Sequence, residues 1–159
     1  MIAENSERKP IVQEIPTVTA VTKIHASVDE VWRVLVAFDE YKQWHPILSL
    51  DVKSDRVAVG VNVPGRLSDG NIETQSVTMR VIDVEPRSRL VWEGGSLDVI
   101  LGRHSFVLTG RPDGITELTD SEEFFGTAAH TIIPLLGQLT QDCVRYGAAL
   151  KARVEARCM

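Results

Sequence analysis

The chain is short of cysteine, of long apolar runs and of positive charge, and each shortage closes off a class of function. Cys143 and Cys158 are its only cysteines. One bridge is therefore the most it can form, and their spacing matches no zinc or redox motif. Reduced thiols in a cytoplasmic setting are the expectation. No segment approaches the roughly 20 continuous apolar residues that span a bilayer. Residues 1–10 are polar and mixed in charge, without the apolar stretch of a secretory signal. The formal net charge is −5. With Lys and Arg dispersed, the basic stripe that a phosphate backbone requires is missing, which argues against nucleic acid as a partner. The same sign argument disfavours an anionic membrane surface, and no membrane insertion is expected.

Motifs that announce particular chemistries are missing too. There is no Gly-x-Ser-x-Gly elbow, and Gly94-Gly95-Ser96 does not supply one. No phosphate-binding glycine loop or dinucleotide fingerprint occurs. His25, His45, His104 and His130 show no ligand spacing such as His-x-x-x-His. The expectation is no cofactor and no metal.

What remains is ordinary globular composition, with 43% hydrophobic and 25% charged residues in a chain of 159. A single domain of this length buries roughly 68–70% of the surface its unfolded chain exposes, enough for a core without metal or disulfides. Residues 1–14 read as a disordered lead-in and residues 15–157 as one domain.

Residues Pro16 to Ile24 alternate and are rich in Val and Thr, which is strand chemistry. Ser27-Val28-Asp29-Glu30 is a capping box, and Val31, Val34, Leu35 and Phe38 follow at helical spacing, so a short helix is expected from about Val28 to Phe38. A second short turn carries Asp39 to Trp44, and Pro46 marks the exit. Period-two patterning then gives candidate strands Ile47–Lys53, Ala58–Arg66, Thr74–Val84, Arg89–Gly94, Gly102–Leu108 and Ile115–Phe125. The breaks Ser68-Asp69-Gly70-Asn71, Glu85-Pro86-Arg87-Ser88 and Arg111-Pro112-Asp113-Gly114 are turn sequences. Such short connections imply antiparallel hairpins. Finally Leu136, Leu139, Cys143, Gly147, Leu150 and Val154 form one apolar helical stripe, with Pro134 suited to the first turn and Gln138, Gln141, Arg145 and Arg153 on a solvated reverse face. The fold class is α+β: a seven-stranded curved antiparallel sheet wrapped around a long C-terminal helix, with two short helices between strands 1 and 2.

That order resembles the helix-grip fold of the Bet v 1-like, or SRPBCC, superfamily, which includes START-related and polyketide cyclase/dehydrase-like proteins. Ile24-His25-Ala26-Ser27-Val28-Asp29-Glu30-Val31-Trp32 is similar to its strand-to-helix opening. Phe38-Asp39-Glu40-Tyr41-Lys42-Gln43-Trp44-His45-Pro46 resembles its Trp-Asn-Pro turn, with His45 where Asn is commoner. Glu85-Pro86-Arg87-Ser88-Arg89-Leu90-Val91-Trp92 resembles the central hairpin. Gly102-Arg103-His104-Ser105-Phe106 and the run from Leu118 to Gly126 resemble the last two strands. The resemblance spans residues 16–157 and implies a cavity between sheet and helix. It covers lipid carriers, hormone receptors, cyclases and chaperone activators, so function rests on the site.

His104 shares a strand face with Phe106 and Leu108, while Leu118, Asp120, Glu122 and Phe124 share a face of the next strand. His104 and Glu122 would thus project into an apolar cavity, where they either pair structurally, orient a ligand, or act as acid and base. Trp44 and His45 are expected near the cavity mouth, and Trp92 on the same wall either as core or as ligand contact. Leu139, Cys143 and Gly147 would form the helix wall. Cys143 reads as a small buried hydrophobe rather than a nucleophile, and Gly147 gives either room for a ligand or close approach to the sheet. Arg80 is placed outside, with Val77, Met79 and Val81 inside. The stretch from Gly94 to Gly102 reads as a lid.

The leading expectation is binding of a small hydrophobic or amphipathic molecule of lipid, polyketide or isoprenoid type. The first alternative is a cofactor-independent cyclase/dehydratase using His104 and Glu122. The second is an interaction module, and the reading leaves room for a homodimer.

Overall fold

A computed structural model describes residues 13–68 and 75–159. The tail expected over residues 1–14 lies almost wholly outside the described residues, as do Thr74 and most of the turn expected at Ser68–Asn71.

Seven antiparallel strands form one sheet, β1 (Thr17–Ile24), β2 (Leu48–Leu50), β3 (Asn62–Leu67), β4 (Gln75–Glu85), β5 (Arg89–Gly95), β6 (Leu101–Gly110) and β7 (Thr116–Phe125), in the spatial order β1-β7-β6-β5-β4-β3-β2. Helix α1 (Val28–Leu35) and a 3-10 helix (Phe38–Gln43) connect β1 to β2, and α2 (Leu136–Arg157) ends the chain. This is the expected helix-grip arrangement. Among the described residues, no helix is long and apolar enough to cross a membrane.

The capping box at α1 is made: Ser27 Oγ accepts from the Glu30 amide (3.3 Å), and Glu30 Oε2 accepts from the Ser27 amide (2.8 Å). The helix stops at Leu35, three residues short of the expectation. The buried Tyr41 hydroxyl donates to Leu35 O (2.6 Å), satisfying an end carbonyl that a longer helix would have used. The hairpin turns behave as read. The Ser88 amide bonds Glu85 O (3.0 Å), and Gly114, at φ +79°, bonds Arg111 O (3.1 Å).

Several boundaries are corrected. Strand β2 is only three residues, and residues Ser54–Arg56 form a 3-10 turn. Strand β3 begins at Asn62 rather than Ala58, because Gly60 turns at φ +88° and donates to Val81 O (2.8 Å). Pro134 lies in a 3-10 stretch (Ala129–Leu135) before α2 rather than in its first turn. Arg153 is only partly solvated. It bonds Glu40 (3.1 Å) and Gln43 (2.6 Å) and ties α2 to the 3-10 helix. The expected lid shrinks to Ser96–Ile100, because β5 runs through Gly95 and β6 starts at Leu101. Amides of Thr127 and Ala128 bond Leu97 O (3.2 Å) and Val99 O (2.9 Å), which pins it.

The core is filled at one end. Ile24, Val31, Leu35, Phe38, Leu90, Leu118 and Leu150 are fully buried there. At the other end the inward face of the sheet carries glycine: Gly94 of β5 and Gly102 of β6 are register partners. Two facing positions without side chains leave space between sheet and α2.

Candidate functional site

That space is a cavity of about 610 Å³, lined on the sheet by Val77, Met79, Trp92, Phe106 and Phe124 and on α2 by Leu139, Cys143 and Tyr146, with His45, His104, Asp120 and Glu122 among its polar groups. The volume falls within the roughly 300–1,000 Å³ of small-molecule sites, and the mixture of apolar wall and few polar groups is typical of them.

Strand alternation puts Gly102, His104 and Phe106 on the cavity side of β6, and Asp120, Glu122 and Phe124 on that of β7. His104 stands directly opposite Glu122 in register, and Phe106 opposite Asp120. The hydrogen bond is nevertheless diagonal, with His104 Nε2 donating to Asp120 Oδ1. The imidazole stacks on Phe106 (4.4 Å between centroids), and Trp92 meets the Phe106 ring edge-on at 5.1 Å. Burial alone would drive the His104 pKa down. The charge and hydrogen bond of Asp120, with the charge of Glu122, outweigh it, and the pKa is raised. The Glu122 carboxyl is also raised, chiefly by burial, with the neighbouring charge of Asp120 adding to it and that of His104 opposing it. Gly102 matters to Glu122 directly: a Cβ there would sit 2.8 Å from Glu122 Oε1.

His45 is held differently. Its Nδ1 accepts from the amides of Ile47 (3.2 Å) and Leu48 (3.0 Å). That bonding needs a neutral ring with its proton on Nε2. Burial, reinforced by the charge of His104, pushes its pKa down to about 3. An Asn side-chain oxygen could accept the same two amides, which accounts for His standing in a turn where Asn is commoner.

Two polar atoms deep in the site, Asp120 Oδ2 and Tyr146 Oη, have no hydrogen-bond partner among the described residues. Asp120 is 1% exposed. Tyr41, the other buried tyrosine of this region, spends its hydroxyl proton on Leu35 O. Burial holds the Tyr146 hydroxyl well above its ordinary pKa, so it stays protonated and able to donate.

Donor atoms of His104, Asp120 and Cys143 lie within 4.8 Å of one another. A nitrogen, an oxygen and a sulfur would suit zinc in principle. Without a metal, burial and the nearby charges of Asp120 and Glu122 push the Cys143 thiol up to about 12, and the His104 nitrogen is already bonded to Asp120. The trio reads as a His104–Asp120 hydrogen bond beside a buried thiol.

Of the residues singled out in the sequence, His45, Trp92, His104, Phe106, Glu122, Phe124, Leu139 and Cys143 line the cavity. Trp44 sits outside the lining, its ring 4.8 Å from Tyr41 and 5.7 Å from Tyr146. Leu118 lies in the packed core. Gly147 faces β1, where a Cβ would collide with Thr22 Oγ1, so it serves close packing. Arg80 is exposed as expected. Sequence reasoning passed over Asp120 as a partner and Tyr146 altogether. Asp120 was signalled by its place two residues before Glu122, and Tyr146 by standing three residues after Cys143 on one helix face.

No curated protein matches the chain. Among solved structures, it is similar to an aromatase/cyclase from Streptomyces sp. R1128 at 15% identity and TM-score 0.69, over 92% of this chain and 97% of that one. It is similar to the di-domain ARO/CYC StfQ of the steffimycin biosynthetic pathway at 12% identity and TM-score 0.71, over 91% of this chain and 52% of that one. A protein of the dynemicin biosynthetic locus matches at 23% identity and TM-score 0.66, over 88% of this chain and 47% of that one. The chain thus spans about half the length of the latter two, and at these identities the likeness is one of fold. A family model described as polyketide cyclase / dehydrase and lipid transport matches residues 16–155. With the model spanning nearly the whole chain and the helix-grip architecture in place, the chain belongs to the polyketide cyclase / dehydrase and lipid transport family.

Proposed function

We propose that this protein binds a small, largely apolar molecule in the cavity and fixes its polar end at His104, Asp120, Glu122 and Tyr146. The observation that carries the reading is the pairing of an apolar cavity of about 610 Å³ with two buried polar atoms, Asp120 Oδ2 and Tyr146 Oη, that have no partner among the described residues. A buried polar atom without a hydrogen bond costs about 1–3 kcal/mol, which a ligand group would recover. Burial of the ligand's apolar surface at about 25 cal/mol per Å² supplies the rest of the drive.

The test is a fluorescence titration with Nile red, a neutral apolar reporter, alongside native mass spectrometry of the purified protein for a retained small molecule. Saturable one-to-one binding that is lost in Leu139→Trp, which fills the cavity from α2, is the expected result. Binding that survives Leu139→Trp unchanged would place the ligand elsewhere.

One observation favours a second reading. The His104–Asp120 bond sets an imidazole of raised pKa on the wall of the cavity, an arrangement suited to proton transfer in a cyclisation or dehydration. The family and the aromatase/cyclase likeness support it. On this reading His104→Ala abolishes turnover of a poly-β-ketone substrate while leaving its affinity nearly intact. Equal loss of both returns the residue to simple binding.

A further inference from the structure

We infer that the cavity excludes anionic ligands and takes molecules whose polar end is an uncharged hydroxyl donor, such as a phenol or an alcohol. The inference rests on the binding reading above and concerns the sign of the charge the site admits.

Among the described residues, no Lys or Arg lines the cavity, whereas Asp120, Glu122 and Asp142 do. The arginines on the neighbouring elements are exposed or already paired with acids. Arg103, adjacent to His104, points to the opposite side of β6, where it pairs with Glu93 (2.7 Å) and lies over the Phe125 ring. Arg66 and Arg80 are exposed on β3 and β4, and Arg145 on α2 is exposed and already paired with Asp142 (3.5 Å). Neither histidine offers an unmatched charge, since a proton gained by His104, whose pKa is raised, is balanced by Asp120. His45 must stay neutral to accept its two amides, and the proton on His104 Nε2 is held by Asp120.

A carboxylate or phosphate entering this site would lose its water and meet carboxyl groups with no unengaged cation to compensate, an arrangement that desolvation and Coulomb repulsion both oppose. A hydroxyl meets the opposite situation. It can donate to the carboxylate of Asp120, a residue 1% exposed whose Oδ2 has no partner among the described residues, and accept from Tyr146 Oη. Asp120 Oδ2 and Tyr146 Oη each lack a partner among the described residues, and a charge-assisted bond to a carboxylate is among the stronger hydrogen bonds available. Trp92, Phe106 and Phe124 supply apolar wall for a ring-bearing body.

The experiment is competition against Nile red at neutral pH by three compounds of one shape: 2-naphthol, 2-naphthoate and 2-(aminomethyl)naphthalene. The expected result is 2-naphthol binding at least tenfold more tightly than 2-naphthoate. Naphthoate competing as well as naphthol overturns the inference while Nile red binding stands. The amine competing tenfold better than naphthol overturns it in the other direction, making the site one for cations. Failure of Nile red itself to bind removes the binding reading, and this inference with it. Asp120→Asn puts an amide where the carboxyl stood, so naphthol should weaken and naphthoate strengthen, each by about tenfold. If that variant misfolds, Glu122→Gln, which keeps the side-chain shape, should still strengthen naphthoate at least threefold. No gain for naphthoate in either variant overturns the inference.

Discussion

The two halves of α2 carry one apolar stripe but face two different interiors. From Gly147 to Val154 the helix is packed solid. Gly147 abuts Thr22 of β1, while Leu150 and Val154 join Ile24, Val31, Leu35 and Phe38 in a continuous core. From Leu136 to Tyr146 the same stripe faces the cavity through Leu139, Cys143 and Tyr146. The helix is not what differs. Opposite the C-terminal half, α1 and the 3-10 helix insert large side chains. Opposite the N-terminal half, the sheet presents Gly94 and Gly102. The lesson is that a cavity in this fold is made by what the facing wall omits, and that truncation at the two ends of one stripe should have unequal effects.

The sharpest way to break this comparison is a pair of truncations on α2. Leu150→Ala removes a fully buried side chain and should cost about 3 kcal/mol of stability, within the 2–5 typical of such changes. Leu139→Ala removes a half-buried one that borders space already open, so the loss should be about 1 kcal/mol or less. Urea denaturation of both variants measures the difference. Equal losses would mean that the cavity end is as tightly packed as the other. Nile red affinity should move in the opposite order, with Leu139→Ala the more affected.

Gly147 sharpens the boundary between the halves. In a helix interior, Gly→Ala normally stabilises by roughly 1 kcal/mol. Here the new Cβ collides with Thr22 Oγ1, on a strand that Lys151 also grips through Lys23 O (2.9 Å). Gly147→Ala should therefore destabilise by about 1–3 kcal/mol, as overpacking does. Pairing it with Thr22→Ala should recover most of the loss. A more stable single variant would show that the glycine provides ligand room rather than close approach.

These contrasts also show what was legible in the sequence and why. The helix-grip order was legible because period-two and helical patterning persist through long elements, and the capping box and turn residues mark their ends. The inward faces of β6 and β7 were legible for the same reason, so His104, Phe106, Glu122 and Phe124 could be placed on one surface. The partner of His104 was not. Register puts Glu122 opposite, while the ring leans along the strand to Asp120, a direction that alternation does not encode. Nor could spacing separate Gly147 from Cys143, since both hold the stripe and only the facing residues differ. Trp44 and His45 are neighbours in sequence, yet the irregular backbone of Trp44 (φ −142°, ψ −26°) at the end of the 3-10 helix leaves only His45 on the cavity lining.

The smallest effect at neutral pH belongs to His45, and it becomes visible only on acidification. His104 and His45 border one cavity, but their protonation runs in opposite senses. The folded-state pKa of His104 is raised, so its contribution to stability is complete below about 6.5 and is lost as pH rises through that raised value. His45 is lowered to about 3, so between about 6.5 and 3 the unfolded chain takes up a proton that the folded ring refuses, and stability falls as pH falls. His45→Asn keeps an acceptor for the amides of Ile47 and Leu48 but has nothing to titrate. At pH 7.5 its stability should lie within about 0.5 kcal/mol of the parent. Below pH 6 the variant should become the more stable of the two, and the gap should widen toward pH 4, where thermal denaturation can follow it. Parallel curves for parent and variant across that range would mean that His45 protonates freely in the folded state, and that its Nδ1 does not hold the two amides.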